Sequence, residues 1–129
     1  MVLGGGRERR KSVRVQLRMT VHVELEGQPR FYEAMSRDLS LDGACLIIRR
    51  KLEHCTPIYL EFCLPGSLNA VYCPAHVVWS SELGSGKKDP SYLMGIEFVR
   101  PPRAARRALK RFLAERRRLA RKGIEPRPG

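Results

Sequence analysis

VQLRMTVHVEL, residues 15–25, carries an apolar side chain at every second position. Successive side chains of a β-strand point to opposite faces of a sheet, so a period of two predicts one long strand with a single buried face. The segment GQP, residues 27–29, follows this strand and is typical of a turn. The apolar positions of the strand are Val15, Leu17, Met19, Val21, Val23 and Leu25.

Five further segments have strand character and are bounded by turn-forming residues. No segment of helical period separates them, which favours an antiparallel barrel or sandwich over a βαβ fold. Residues 82–90 contain glycines, charges and a proline, and are predicted to be a surface loop. The five segments are residues 30–37, 44–49, 58–64, 70–80 and 92–99.

The period changes to 3.6 residues after Pro102, which predicts an arginine-rich amphipathic helix of about 20 residues. Gly123 and Pro126 are expected to end it. The fold class is therefore all-β with a terminal helix. We divide the chain into a flexible basic N-terminal arm at 1–9, a barrel at 10–100, the helix at 101–122 and a disordered tail at 123–129. The apolar stripe of the helix is Ala105, Ala108, Leu109, Phe112, Leu113, Leu119 and Ala120.

The chain has 129 residues, a formal net charge of +12 and a pI near 10.3. Residues 1–18 hold six basic side chains and one acidic, and residues 100–129 hold twelve and two. The segment between them is mildly acidic, so both strongly basic elements lie at the ends of the chain. Such a distribution predicts an anionic partner, which is a nucleotide, a nucleic acid or a membrane surface.

Several classes of protein are excluded by what the sequence lacks. No apolar run is long enough to cross a bilayer, and the N-terminus has no signal-peptide pattern. Cys45, Cys55, Cys63 and Cys73 contain no CxxC pair, so we expect reduced thiols and a cytoplasmic protein. The histidines have no metal-ligand spacing, and no nucleophile is paired with a base. We therefore expect neither a metal site nor an enzyme.

Two short motifs have complementary chemistry. RRKSVR, residues 9–14, precedes the first strand, and DLSLDG, residues 38–43, lies between the second and third. Arginine binds phosphate oxygens and the guanine edge with its planar fork of donors, so Arg10 and Arg14 are suited to a guanine nucleotide. An aspartate accepts from guanine N–H groups, and a serine hydroxyl donates or accepts. Asp38 and Ser40 would form the other half of that site.

Gly43 ends the second motif, and we expect it to supply a positive φ for a tight return of the chain. Arg10-x-x-x-Arg14, followed by Asp38-x-Ser40-x-x-Gly43, resembles the PilZ domain, a bacterial receptor for cyclic di-GMP. The resemblance extends over about residues 7–115. It implies a six-stranded antiparallel PilZ-type β-barrel followed by a C-terminal amphipathic α-helix.

The resemblance also implies roles for the motif residues. Arg10 and Arg14 would lie on a flexible segment that closes over the ligand and contacts phosphate and guanine. Asp38 and Ser40 would contact guanine, and Gly43 would form the turn. Arg9 precedes the motif, where an arginine favours a stacked pair of nucleotides, so the resemblance favours two ligands per chain and leaves one ligand as the alternative. Besides cyclic di-GMP, we expect no cofactor.

These features predict a single-domain receptor whose N-terminal arm becomes ordered when cyclic di-GMP binds and which signals to a separate, unidentified protein. The alternative is a sequence-tolerant nucleic-acid-binding module that uses the basic arm and helix. The sequence leaves the downstream partner and the oligomeric state open.

Trp79 lies in phase with the buried positions of its strand, so we expect it in the core or at the barrel rim and not as a stacking platform.

Overall fold

The computed structural model describes residues 13–84 and 88–123, which form seven β-strands and one α-helix. The elements in chain order are β1 (Val15–Gln16), β2 (Thr20–Leu25), β3 (Phe31–Leu39), β4 (Gly43–Ile48), β5 (Pro57–Cys63), β6 (Ala70–Leu83), β7 (Ser91–Phe98) and α1 (Arg103–Arg121).

The sheet closes on itself. Its strands follow the order β3, β2, β5, β6, β7 and β4, and β4 pairs back onto β3. Every pairing is antiparallel, and β1 is an additional short strand that pairs with the end of β3. A closed barrel leaves no long unpaired edge, which is the physical advantage of this architecture over an open sheet. The predicted six-stranded barrel with a terminal helix is confirmed.

The first predicted strand, residues 15–25, is wrong in one respect, because it is divided into β1 and β2. Ser36 of β3 is buried opposite the gap, where its hydroxyl donates to the carbonyl oxygen of Leu17 and accepts from the N–H of Met19 at 3.0 Å. A side chain thus replaces part of the regular backbone ladder. The alternation of buried side chains continues across the gap, so the period of two remains visible in the sequence.

The core fills the barrel with the inward-facing apolar residues of its strands, and α1 covers part of β6. Ala105, Leu109 and Leu113 are the buried positions of the helix, as its stripe predicts, whereas Leu119 is half-buried and Ala120 is exposed. Burial of such a stripe contributes roughly 25 cal/mol per Å² of apolar surface removed from water. The last two turns of α1 contain no fully buried side chain.

Element ends differ from the predicted ones by a few residues. The helix begins at Arg103 and ends at Arg121, and Gly123 follows with a φ of 72°. Strand β6 continues to Leu83, so the predicted loop at 82–90 begins later than expected. The arm at 1–9 and most of the predicted tail lie outside the described residues. Within the described ranges, no helix is long and apolar enough to cross a membrane.

The four cysteines form no disulfide and differ in burial: Cys45 and Cys73 are buried, whereas Cys55 and Cys63 are exposed. Burial raises the pKa of the Cys73 thiol to about 11, which keeps it protonated at neutral pH. Because the thiolate is the reactive form, we expect a thiol reagent at pH 7.5 to modify two cysteines rapidly in the folded protein and all four after unfolding. C55S and C63S should each remove one rapid equivalent. Rapid labelling of four thiols in the folded state would contradict this prediction.

Candidate functional site

An ion pair joins the two sequence motifs at one end of the barrel. Strand β1 pairs with the end of β3, so Gln16 lies opposite Asp38 and Val15 lies opposite Leu39. Arg14 Nη1 donates to Asp38 Oδ1 at 2.7 Å, and about half of the arginine side chain is exposed. The geometry therefore brings together two residues that are 24 positions apart and keeps their remaining donors and acceptors in contact with solvent.

Ser40 organises the turn between β3 and β4. Its backbone N–H donates to the carbonyl oxygen of Gly43 at 2.8 Å, and its Oγ accepts from the N–H groups of Asp42 and Gly43 at 3.2 Å each. The residue is only 3% exposed. Its hydroxyl therefore satisfies the backbone of the turn, in the manner of an ST-turn. The predicted contact of Ser40 with guanine stays a prediction.

The expected role of Gly43 is wrong in its physical reason. Gly43 is the first residue of β4 and does not have a positive φ. A Cβ at this position would overlap the carbonyl oxygen of Ile96 on β7, the strand that pairs with β4. Glycine is required here because two backbones approach closely, and not because the turn needs a left-handed residue.

Trp79 faces outward, contrary to the prediction from strand phase. A β-bulge between Val77 and Trp79 adds one residue to β6 relative to β7, which reverses the alternation. The indole is 45% exposed, while the hydroxyl oxygen of Ser80 is buried. Trp79 pairs with Gly95, and a Cβ at Gly95 would overlap the indole ring. The bulge therefore places an aromatic surface on the outside of the barrel.

One cavity of about 450 Å³ unites these features. Sequence reasoning missed Trp79 as a residue of this site. The available signal was Gly95, a glycine inside an apolar strand, which indicates a bulge or a close approach. The cavity is lined by Arg14, Asp38, Ser40, Asp42, Gly43, Ala44, Cys45, Val78, Trp79, Gly95, Ile96 and Glu97.

Among the described residues that line the cavity, the charged side chains are mostly acidic. It contains three carboxylates, Asp38, Asp42 and Glu97, and Arg14 is its one cationic side chain. Glu97 Oε1 lies 3.2 Å from Nε2 of His76, a residue that does not line the cavity. Carboxylates accept from N–H donors, so this half of the site is suited to the edge of a base and poorly suited to phosphate. A phosphate-bearing ligand would need further cations.

Cys45 lies in the lining but adds no charge to it. Burial, followed by the negative charge of Asp38, raises the pKa of the Cys45 thiol above its usual value. The group is therefore a neutral thiol at physiological pH. In the described ranges, no three His, Cys, Asp or Glu side chains are arranged to hold a metal ion. The arrangement offers hydrogen bonding, charge and an aromatic surface, which are the means of binding a ligand.

The structure thus brings Arg14, Asp38, Ser40 and Gly43 into one cavity. Arg9 and Arg10, the other predicted site residues, lie outside the described residues. The described part of the chain begins at Val13, one residue before Arg14.

Comparison with known proteins agrees with the fold and the motifs. The PilZ domain family model matches residues 8–115. The PilZ domain of YcgR from Escherichia coli, solved with c-di-GMP, has a TM-score of 0.67 and 19% identity, covering 89% of this chain and 96% of that one. No curated protein matches the chain significantly.

Two larger proteins contain a similar unit. The inhibitor of motility MotI/DgrA from Bacillus subtilis has a TM-score of 0.66 and 18% identity, covering 84% of this chain and 51% of that one. The MrkH–c-di-GMP complex of K. pneumonia has a TM-score of 0.69 and 14% identity, covering 88% and 55%. The chain thus spans about half the length of these two proteins.

At such identities the likeness shows the fold, while the family match extends over most of the chain and includes both motifs. The chain belongs to the PilZ domain family.

Proposed function

We propose that this chain is a receptor for cyclic di-GMP that binds the nucleotide with Arg9, Arg10, Arg14, Asp38, Ser40 and Gly43. The observation that carries the proposal is the Arg14–Asp38 pair, which joins the two PilZ motifs beside the exposed face of Trp79. The YcgR domain and MrkH, both solved with c-di-GMP, support the choice of ligand.

The charges of the cavity support different roles for its two sides: the acidic side would bind guanine and the cationic side would bind phosphate. Asp38 would accept from the N–H groups of guanine, and the indole of Trp79 offers a face for stacking or for covering the ribose edge. The phosphates need cations, and Arg14 alone among the described lining residues supplies one. Arg9 and Arg10 would supply the rest, because guanidinium groups bind phosphate oxygens bidentately.

Binding would then change the surface of the protein without chemistry on the ligand. The N-terminal arm carries several like charges, and a dianionic nucleotide that neutralises them would order the arm against the barrel. We propose that the ordered arm presents a new surface to a separate protein, so that signalling occurs in trans and the chain is not an enzyme. An arginine at position 9 favours two stacked nucleotides per chain, and no other cofactor is needed.

A cytoplasmic location fits this proposal. All four cysteines are free thiols, which suits a reducing compartment. The alternative of a nucleic-acid-binding module, which depends on the basic arm and helix, stays a prediction.

The test is titration of cyclic di-GMP into nucleotide-free protein. Binding is monitored by calorimetry and by the fluorescence emission of Trp79. The chain has one tryptophan, so any ligand-dependent change reports directly on the cavity. We expect saturable binding with altered Trp79 emission, and a stoichiometry of two if the nucleotides stack. R10A should abolish most of the affinity, since a charge-assisted phosphate contact is lost.

The titration is repeated at about 50 mM and about 200 mM salt, because non-specific attraction to a basic protein weakens steeply over this range. Binding that persists at the higher salt and is lost in R10A supports the proposal. Absence of heat and of any Trp79 response at saturating cyclic di-GMP would overturn it.

A further inference from the structure

A second and larger concavity lies between α1 and the turn that joins β5 to β6. Its volume is about 800 Å³, and it shares no lining residue with the site cavity. Leu68, at the tip of the turn, is 100% exposed, and Tyr72 is 61% exposed. On the helix side the lining includes Ala108 and Phe112. A single exposed apolar side chain is common on a protein surface. Two of them, Leu68 and Tyr72, line this groove together with the half-buried Phe112, which indicates a binding surface.

The wall formed by α1 is strongly basic. The helix contains nine basic residues and one acidic residue, Glu115. Arg118 donates to both Glu115 oxygens, at 2.6 and 3.2 Å, so the carboxylate beside the groove is already neutralised. Arg111 is exposed and lines the groove itself. Apart from Arg118, no basic residue of α1 forms an ion pair with another described residue.

The helix also continues well past its last fully buried residue. Leu113 is its last buried residue, and the eight residues that follow, to Arg121, include four arginines and no buried side chain. A helix end with so little packing and so much like charge gains little from the barrel. An anionic partner that contacts these arginines would neutralise their charge, and its contact surface would extend beyond the groove along the helix.

We propose that this groove binds an acidic, amphipathic helical segment of a partner protein, with apolar side chains inserted between Leu68 and Phe112 and carboxylates facing Arg111 and the other basic residues of α1. The groove follows the helix from Pro102 to Glu115, about 20 Å, which corresponds to roughly four turns of a bound helix. The inference deepens the proposed function, because it gives the docking surface and the chemistry of the partner that signalling in trans requires.

Other occupants fit the surface less well. A second copy would bring another helix with nine basic residues, and the whole chain carries +12, so self-association would oppose like charges. A nucleic acid would use the arginines but has no need of Leu68 or of an apolar floor. A membrane would contact the exposed tip but would not fill a concave groove.

The test uses a fluorescent synthetic peptide of about 16 residues with leucines at i, i+4, i+7 and i+11 and mostly glutamate elsewhere. A matched peptide has serine in place of each leucine and the same charge. We expect the full-length protein to bind the leucine peptide at least about tenfold more tightly than the serine peptide. L68E and R111E should each weaken the leucine peptide by about tenfold or more.

Both variants are designed to fold, since Leu68 is fully exposed and Arg111 lies on the outer face of α1. F31S is the matched control, because Phe31 is 55% exposed but does not line the groove. The F31S protein should bind the leucine peptide with the same affinity as the wild type. Equal binding of the two peptides, no effect of L68E, or an equal loss in F31S would overturn the inference.

Duplex DNA and vesicles that contain anionic lipid are tested in parallel. Binding of either that is lost in L68E or R111E, without binding of the leucine peptide, would overturn the inference and assign the surface to that ligand. The peptide titration is made with and without cyclic di-GMP. Failure of the peptide in a protein that binds the nucleotide contradicts only this inference, whereas peptide binding without any nucleotide binding contradicts only the proposed function.

Discussion

R14A should weaken the binding of cyclic di-GMP by about 2 to 5 kcal/mol, or roughly thirtyfold to several thousandfold. Arg14 is the one cation among the described residues of the site cavity, and it already lies 2.7 Å from Asp38. Its removal leaves Asp38 without its ion-pair partner beside an anionic ligand. Both the lost phosphate or guanine contact and the unpaired charge of Asp38 reduce the affinity.

The same substitution should leave the fold nearly unchanged. A partly exposed ion pair contributes about 0 to 1 kcal/mol to stability, so the melting temperature of R14A should lie close to that of the wild type. R18A is the matched control: Arg18 belongs to the same N-terminal segment and is exposed, but it does not line the site cavity. Calorimetry on the three proteins separates a specific contact from the general effect of one positive charge. Equal affinities for R14A and R18A would exclude Arg14 from the site.

G43A should destabilise the barrel by about 3 kcal/mol, which corresponds to a fall in melting temperature of roughly 10 to 20 °C for a domain of this size. The added methyl group would overlap the backbone oxygen of Ile96, which is not free to rotate away as a side chain would be. Relief requires β4 and β7 to separate, although their pairing runs from Gly43 to Ile48 and helps to close the sheet.

Thermal unfolding monitored by circular dichroism measures this effect. The control is G66A: Gly66 has a φ of 84° but nothing within 4 Å of an added Cβ, so only local backbone strain is introduced, at a cost of about 1 kcal/mol. Nucleotide binding by G43A should weaken together with stability, because Gly43 also lines the site. A melting temperature within about 3 °C of the wild type would show that the two strands yield easily and would contradict the steric account.

Periodicity in the sequence predicted most of the fold. The alternation at Val21 and Val23, for example, gives side chains that are almost fully buried, and the helical stripe correctly gives Ala105, Leu109 and Leu113. These signals are reliable because a strand or helix that buries one face must repeat its apolar residues with the period of its backbone.

The failures of prediction have the opposite cause, since each depends on a contact between distant parts of the chain. Ser36 interrupts the first strand by bonding to backbone groups 17 and 19 residues away. The bulge that turns Trp79 outward is defined relative to β7, and the need for glycine at position 43 comes from Ile96. None of these partners is visible in a local sequence window.

For the candidate site, the residue types and their order in two short motifs were sufficient to predict that Arg14 and Asp38 lie together. The chemistry of a guanidinium and a carboxylate is fixed by the side chains, wherever they lie. The pairing of β1 with the end of β3 decided how they meet. Closure of the barrel, in which β4 pairs with both β3 and β7, brings Trp79 of β6 to the same cavity. The local sequence pattern thus specified most of the strands, the helix and the groups of the candidate site. The long-range backbone pairings specified which side chains share a surface, since those depend on register and on one added residue in a strand.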